Sequence, residues 1–263
     1  VTVLSIGSLA HAALARSGGR AVPLAEFADA PYFEAAGEII WVGSQLPAMH
    51  PRAVMTAAPQ PRGRPLAFAR WPEPDAAAVI GDDVPPAALR ARTRAMIAAL
   101  VAVEAPRGFG TLLAGATPGF PLDAGVARVH ALADAYARDD ADAVAAATLA
   151  LAGFGTGLTP SGDDLAGGAL FARRATCRDP RWGAAAERLA PAVAARTHAI
   201  SAALFADLAR GDSFAPLHEC LAALARDDAA RALGAARTLA RIGHSSGWDM
   251  LTGCSIALLG ALE

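Results

Sequence analysis

GFGTGLTPSGDD, residues 153–164, is the stretch from which the rest of the chain can be read. Gly153, Gly155, Gly157 and Gly162 permit backbone angles closed to other residues and let a neighbouring group approach the main chain. Thr159 or Ser161 is placed to cap the helix that follows, with Pro160 tolerated in its first turn. Asp163 and Asp164 then lie against the positive end of that helix. A tight turn before a capped helix explains one glycine and one hydroxyl. Four glycines and four oxygen-bearing side chains exceed that need, so the loop is read as a ligand site. Both flanks are helical in pattern, and no strand precedes the loop. That counts against a dinucleotide-binding fingerprint, which must follow a strand, despite the alternating glycines.

Downstream, Leu165 to Arg174 continues as a helix in which Gly167 and Gly168 permit close approach by a neighbour. A long helix is expected over Gly183 to Arg210, kinked or started by Pro191. Further helices fit Ser213 to Arg226 and Asp228 to Ile242. Gly243 is then a stop, and HSSGWD, residues 244–249, opens a final apolar helix with Ser245 or Ser246 as its cap. Upstream, Pro85 and Pro86 open a helix that should end near Pro106. Arg107 to Pro121, RGFGTLLAGATPGFP, is a second glycine-rich connection, read as an interhelical turn in preference to a second wall of the same pocket. Asp123 can cap a helix reaching Arg138, and Asp139 to Ala152 is another.

The first part differs. Short apolar stretches at Val3 to Ile6, Ala21 to Leu24, Ile39 to Val42, Ala53 to Thr56 and Leu66 to Ala69 are separated by turn residues and read as strands, with a short helix over Ser8 to Arg16. They form a barrel or a sheet that leans on the rest, and the first strand is expected to be buried. Pro59 to Pro74 is expected to be extended and exposed, with Phe68 and Trp71 packed down; Trp41 and His50 are read as structural. The expected class is α+β: a β-rich domain over residues 1–80 and a helical domain over residues 81–263. No fixed-period repeat is evident.

Composition narrows the function. At 263 residues with 54% hydrophobic but only 6% aromatic content, the chain suits closely packed alanine-rich helices. The apolar run Met250 to Leu262 falls short of the ~20 residues that a membrane span needs. Cys177, Cys220 and Cys254 lack metal-ligand spacing and suggest no disulfide framework, which fits a cytoplasmic protein. A net charge of -2 gives no case for nucleic acid or for a membrane surface. All 23 basic residues are arginine, so Schiff-base and P-loop lysines are excluded. Any bound anion must be held by arginine or backbone N–H groups, with Arg107 and Arg196 nearest by motif.

Three polar clusters interrupt the helical part: the 153–164 loop; Arg196, Thr197, His198 and Ser201; and His244, Ser245, Ser246 and Asp249. Thr197 and Ser201, four residues apart, are expected on one face of one helix. GLTPSGDD, the T-x-x-x-S pair and GHSSGWD together resemble a bacterial family, long labelled only as a domain of unknown function, that includes the AllH-type subunit of oxamate carbamoyltransferase. The resemblance covers Gly153 to the C-terminus, and the first portion carries no recognised motif.

The resemblance implies phosphorolysis of oxalurate to oxamate and carbamoyl phosphate, or a related carbamoyl or acyl transfer, within a multi-subunit enzyme. On that expectation Asp164 and His244 are the catalytic candidates. Gly155, Gly157, Thr159, Ser161, Gly162, Asp163, Arg196, Thr197, Ser201, Ser245 and Ser246 are the ligand-binding candidates. Aspartates beside a phosphate need a counterpart, either a magnesium ion held by Asp163 and Asp164 or hydrogen-bond donors such as a carbamoyl NH2; no other cofactor is expected. Two other classes compete. One is a noncatalytic scaffold or ligand-binding subunit using the Gly167–Gly168 surface. The other is a metal-dependent hydrolase of a small amide, using Asp163, Asp164, His198 and His244.

Overall fold

The computed structural model describes residues 1–25, 32–61, 63–75 and 84–261. It divides into two compact units, Val1–Ala77 and Ala78–Glu263, and its class is α+β.

The first unit contains β1 (Val3–Ile6), α1 (Ser8–Arg16), β2 (Arg20–Ala25), β3 (Tyr32–Ala35), β4 (Glu38–Gly43), β5 (Ala53–Thr56) and β6 (Leu66–Ala67). One sheet runs in the order β1-β5-β4-β3-β2-β6. Only the β4–β5 pair is parallel. Its core joins Leu14 of α1 to Phe33, Ile40, Val42, Val54 and Phe68, with Trp71 packed against it. The Val1 nitrogen donates to Ala67 O of β6 at 3.2 Å. Three expectations change. β3, too short to show alternation, had no sequence signal; it is paired to β4 through Ala36 and Gly37, both at positive φ, 49° and 80°. β1 lies at an edge of the sheet instead of inside it, and Leu4 is exposed. β6 stops at Ala67. His50 is structural: it is buried, and its Nδ1 accepts from Arg52 N at 3.1 Å.

The second unit is helical: α2 (Pro86–Val103), a 3₁₀ segment Gly108–Ala114, a 3₁₀ turn Leu122–Gly125, α3 (Val126–Ala137), α4 (Ala141–Leu151), α5 (Ser161–Thr176), α6 (Pro180–Ala194), α7 (Ala199–Arg210), α8 (Ala215–Ala225), α9 (Ala229–Ala240) and α10 (Ser246–Leu259). The expected long helix over Gly183 to Arg210 is two helices. Pro191 lies inside α6, and the break falls at Ala195–His198. The loop at Gly153 docks there: a Cβ on Gly153 would lie 2.4 Å from Arg196 O. α5 and α10 are the central pair. α5 is buried continuously from Ser161 to Ala172 and α10 from Gly247 to Leu258, as core helices are.

The helices contain an internal duplication, which alanine-rich composition and a change of offset conceal from a search for a fixed period. Residues 137–155, ARDDADAVAAATLALAGFG, align with residues 225–243, ARDDAARALGAARTLARIG, at an offset of 88. Asp139 and Asp227 both adopt positive φ, 53° and 62°. Asp140 and Asp228 both cap the helix that follows with their side chains. The buried positions of α4, Val144, Ala147, Thr148 and Leu151, correspond one by one to Ala232, Ala235, Ala236 and Leu239 of α9. Past a loop three residues shorter in the second copy, SGDDLAGG (161–168) aligns with SGWDMLTG (246–253) at an offset of 85. The two copies meet reciprocally. A Cβ on Gly168 would lie 2.5 Å from Met250 O, and one on Gly253 would lie 1.9 Å from Leu165 O. Those glycines let α5 and α10 touch backbone to backbone, which brings their N-terminal turns together.

Candidate functional site

Neither helix start is capped by a side chain. The N-cap of α5 is Pro160, so Thr159 and Ser161 do not serve as the expected cap. Ser245 occupies the N-cap of α10 without making a side-chain cap bond. The preceding loops do the work with carbonyls: Gly162 N donates to Phe154 O at 2.8 Å, and Gly247 N donates to Ile242 O at 3.1 Å. Each glycine is required there, because a Cβ would lie 2.2 Å from Leu151 O in the first copy and 1.7 Å from Leu239 O in the second. The hydroxyls are therefore free to meet across the duplication. Thr159 Oγ1 and Ser246 Oγ are 3.0 Å apart, and Ser161 Oγ and Ser245 Oγ are 3.4 Å apart.

Asp163 accepts three hydrogen bonds. Its Oδ1 accepts from Gly153 N at 2.7 Å, and its Oδ2 accepts from Ser201 Oγ at 2.7 Å and from Thr197 Oγ1. Thr197 and Ser201 converge as expected but do not share one helix, since Thr197 precedes the N-cap of α7. The Gly153 loop and the Thr197–Ser201 segment are thus both tied to one buried side chain on α5. Ser201→Ala is expected to lower stability by roughly 2 kcal/mol, the magnitude of a lost hydrogen bond to a buried charged acceptor, and urea denaturation would measure it.

Asp164 and Asp249 occupy equivalent positions in the two copies, in the first turns of α5 and α10. Both are buried, at 4% and 0% exposure, and the Oδ2 of each has no hydrogen-bond partner. Among the described residues neither forms an ion pair. Burial holds the Asp164 carboxyl well above the usual carboxylate range, and the neighbouring Asp249 raises it further; the Ser246 and Thr159 hydroxyls offset part of this. Burial likewise raises Asp249, to about 7, against the opposing pull of the Ser161 hydroxyl, Phe109 N–H and the Ser245 hydroxyl. Burial thus disfavours the ionised form of both carboxyls.

The second glycine-rich connection is a wall of this site, which corrects its reading as a turn. Phe109 N donates to Asp249 Oδ1 at 2.7 Å, and a Cβ on Gly108 would lie 2.5 Å from the same oxygen. The exposed Arg107 stands next to Gly108, and its guanidinium has no partner among the described residues.

The remaining candidates fall at the edges. Gly155 abuts Ser161 N, while Gly157, at φ 94°, faces open space. Arg196 donates to Leu149 O at 2.9 Å, which ties its guanidinium to the end of α4. His198 and His244 are both exposed; His244 lies two residues before α10, beside Ser245. Among the described residues no group of three or more His, Cys, Asp or Glu is placed to hold a metal ion. Gly167 and Gly168 are used internally, against Leu208 and Met250, and offer no surface to a partner. A groove of about 380 Å³ lies elsewhere in the helical unit, lined largely by Ala95, Met96, Ala99, Leu224 and Leu233. Arg92, Asp227 and Asp228 also line it, with Arg92 Nε paired to Asp227 Oδ1 at 2.9 Å.

The residue that sequence reasoning left out of the site is Asp249. Its signal was present: S-G-x-D occurs twice, at 161–164 and 246–249. No curated protein and no solved structure matches the chain. The segment that contains both S-G-x-D turns does match: residues 151–258 fit the family model of the oxamate carbamoyltransferase subunit AllH.

Proposed function

We propose that this chain is a subunit of a carbamoyl- or acyl-transferring enzyme resembling oxamate carbamoyltransferase, with its share of the chemistry at the Asp164–Asp249 pair. The observation that carries the proposal is the pair itself: two buried carboxyls, each with an unpartnered oxygen, inside the segment that matches the family. In phosphorolysis of oxalurate a phosphate oxygen bonds to the carbamoyl carbon, and the bond from that carbon to the oxamate nitrogen breaks. The departing nitrogen needs a proton. Asp164, whose carboxyl burial holds well above the usual carboxylate range, is suited to deliver it as a general acid, and the proton given up by phosphate replaces it. Arg107 at the rim supplies a guanidinium fork for phosphate or for the substrate carboxylate. His244, exposed at the same helix start, is the candidate for relaying protons to solvent. Asp163 acts as a positioning residue, since its two oxygens already hold the loop and α7 in place.

Companion subunits complete the enzyme in this proposal. The test is reconstitution: the chain is mixed with the companion subunits of its own enzyme, and carbamoyl phosphate formation from oxalurate and phosphate is followed. Activity should require this chain, and Asp164→Asn should lower turnover by roughly 100-fold. A complex equally active when the chain is omitted would overturn the assignment. A noncatalytic scaffold is the second reading, and it loses its main support because Gly167 and Gly168 are buried between helices.

A further inference from the structure

The duplication extends to α2 and α6. At an offset of 89, Arg92, Thr93, Met96, Ile97 and Leu100 correspond to Arg181, Trp182, Ala185, Ala186 and Leu189. The last four positions are buried in both helices. α2 packs on α9 and α6 packs on α4, so the copies exchange these helices. Each arginine pairs with the aspartate just before the helix it lies on: Arg181 with Asp139, and Arg92 Nε with Asp227 Oδ1 at 2.9 Å. The α2–α9 and α4–α6 faces are thus equivalent surfaces within one chain, and each is a reference for the other.

Beyond that shared pair the two faces differ. On the α4–α6 face Arg188 reaches Asp142 at 3.5 Å, and both side chains are exposed. On the α2–α9 face the same positions are Ala99 and Ala230, while Met96 and Leu233 stand in place of Ala185 and Ala145. These four residues line the groove of about 380 Å³. Two of the four changes enlarge an apolar side chain, which a bias toward alanine does not produce. An open apolar groove where the equivalent face carries a solvated ion pair marks an interaction surface. Its charges show what fits. Asp139 holds two guanidiniums, those of Arg181 and Arg173. Asp227 holds one among the described residues, because Leu258 takes the place of Arg173, and its side chain is 69% exposed. The groove therefore ends on a carboxylate with room for a second cation.

We propose that the α2–α9 groove docks a helix of a companion subunit, which presents an apolar side chain to Met96 and Leu233 and an arginine or lysine to Asp227. The proposal rests on the multi-subunit part of the reading above and names the surface that a companion uses. α2 and α9 run side by side in the same direction, since Arg92 meets Asp227 at one end and Glu104 Oε1 meets Arg237 Nε at 2.9 Å at the other. A groove between two such helices takes the face of a third along its length. A second copy of this chain fits less well. A twofold contact would set one concave, acid-ended groove against another, and neither supplies the protruding side chain or the cation.

The test exchanges the two faces. Ala99→Arg with Ala230→Asp builds the ion pair of the α4–α6 face across the groove, and Arg188→Ala with Asp142→Ala makes the reverse change on the reference face. Isothermal titration of the full-length chain with the companion subunits of its own enzyme measures the effect. The groove variant should bind at least about 10-fold more weakly than wild type, and the reference variant should bind like wild type. Asp227→Asn, which suits the positive φ of that position, should weaken binding about 3-fold and reduce its salt dependence. Three results would each overturn the proposal: a groove variant that binds like wild type, a wild-type chain that the companions do not bind, or a wild-type dimer that the groove variant dissociates. Should the groove variant not fold, Asp227→Asn decides, and unchanged affinity and salt dependence sink the proposal. Failure of the carbamoyl-transfer reading is distinguishable. Companions that bind the wild-type chain but form no carbamoyl phosphate sink that reading alone, and an active complex whose assembly ignores the groove variant sinks the docking alone.

Discussion

Gly253→Ala is expected to destabilise the helical unit by roughly 3 kcal/mol, the upper part of the range for overpacking a filled core. The added Cβ would sit 1.9 Å from Leu165 O and 2.8 Å from Ala169 N, both backbone atoms that cannot rotate away. α5 and α10 would have to separate, and with them the two turns that carry Asp164 and Asp249. Gly234→Ala provides the contrast. A Cβ at Gly234, inside α9, meets nothing within 4 Å, and the equivalent residue in the first copy is already alanine, Ala146. There the change should stabilise by about 0.5–1 kcal/mol, because glycine is the poorer helix former. Urea denaturation of both variants checks the pair of signs.

A second large effect is expected in the pH dependence of stability. The folded-state carboxyl of Asp249 is raised to about 7, far above its ordinary 3.8, chiefly by burial. A folded protein that holds a proton which the unfolded chain releases loses stability as pH rises between the two values. The contribution is intact below about pH 4, declines toward pH 7 and is lost above it, a span worth about 4 kcal/mol at 1.36 kcal/mol per unit. The groups facing Asp249 do not reverse this sign: the Ser161 hydroxyl, Phe109 N–H and Ser245 hydroxyl pull the value down and offset only part of the rise that burial causes, and the neighbouring Asp164 is acidic. The wild-type melting midpoint should therefore fall from about pH 5 to pH 8, and Asp249→Asn should flatten much of that decline. A wild-type midpoint constant over that range would show that the carboxyl is not held protonated.

Much of this architecture is legible in the residues. Helical periodicity and capping aspartates mark most helices to within a few positions, and alternation between turn residues marks five of the six strands. β3 escaped because four residues, YFEA, carry no pattern of their own and are held by pairing to β4. The break between α6 and α7 escaped because Ala195 to His198 has no glycine or proline; its partner there, Gly153 packed close to Arg196 O, is distant in sequence. The expected side-chain cap bonds do not form at either central helix start, although Ser245 does occupy the N-cap of α10. Carbonyls of Phe154 and Ile242 reach back to the helix N–H groups, and local sequence does not announce such a bond.

In the site, the polar types were visible and their pairing was not. Asp163 and Asp164 are adjacent in sequence yet do different things: one ties the loop to α7, and the other faces Asp249 across the duplication. Only the comparison of SGDD with SGWD predicts that partner, and it requires a gap of three residues in the alignment. The Arg107 segment likewise reads as a turn until Phe109 N is seen on Asp249.

The most direct measurement is oxalurate phosphorolysis by the reconstituted enzyme carrying Asp164→Asn or Asp249→Asn, with assembly verified by gel filtration. Intact complexes in which Asp164→Asn lowers turnover by roughly 100-fold and Asp249→Asn lowers it measurably are the expected result. Intact complexes with unchanged turnover for both variants would contradict the assignment of the carboxyl pair to the chemistry.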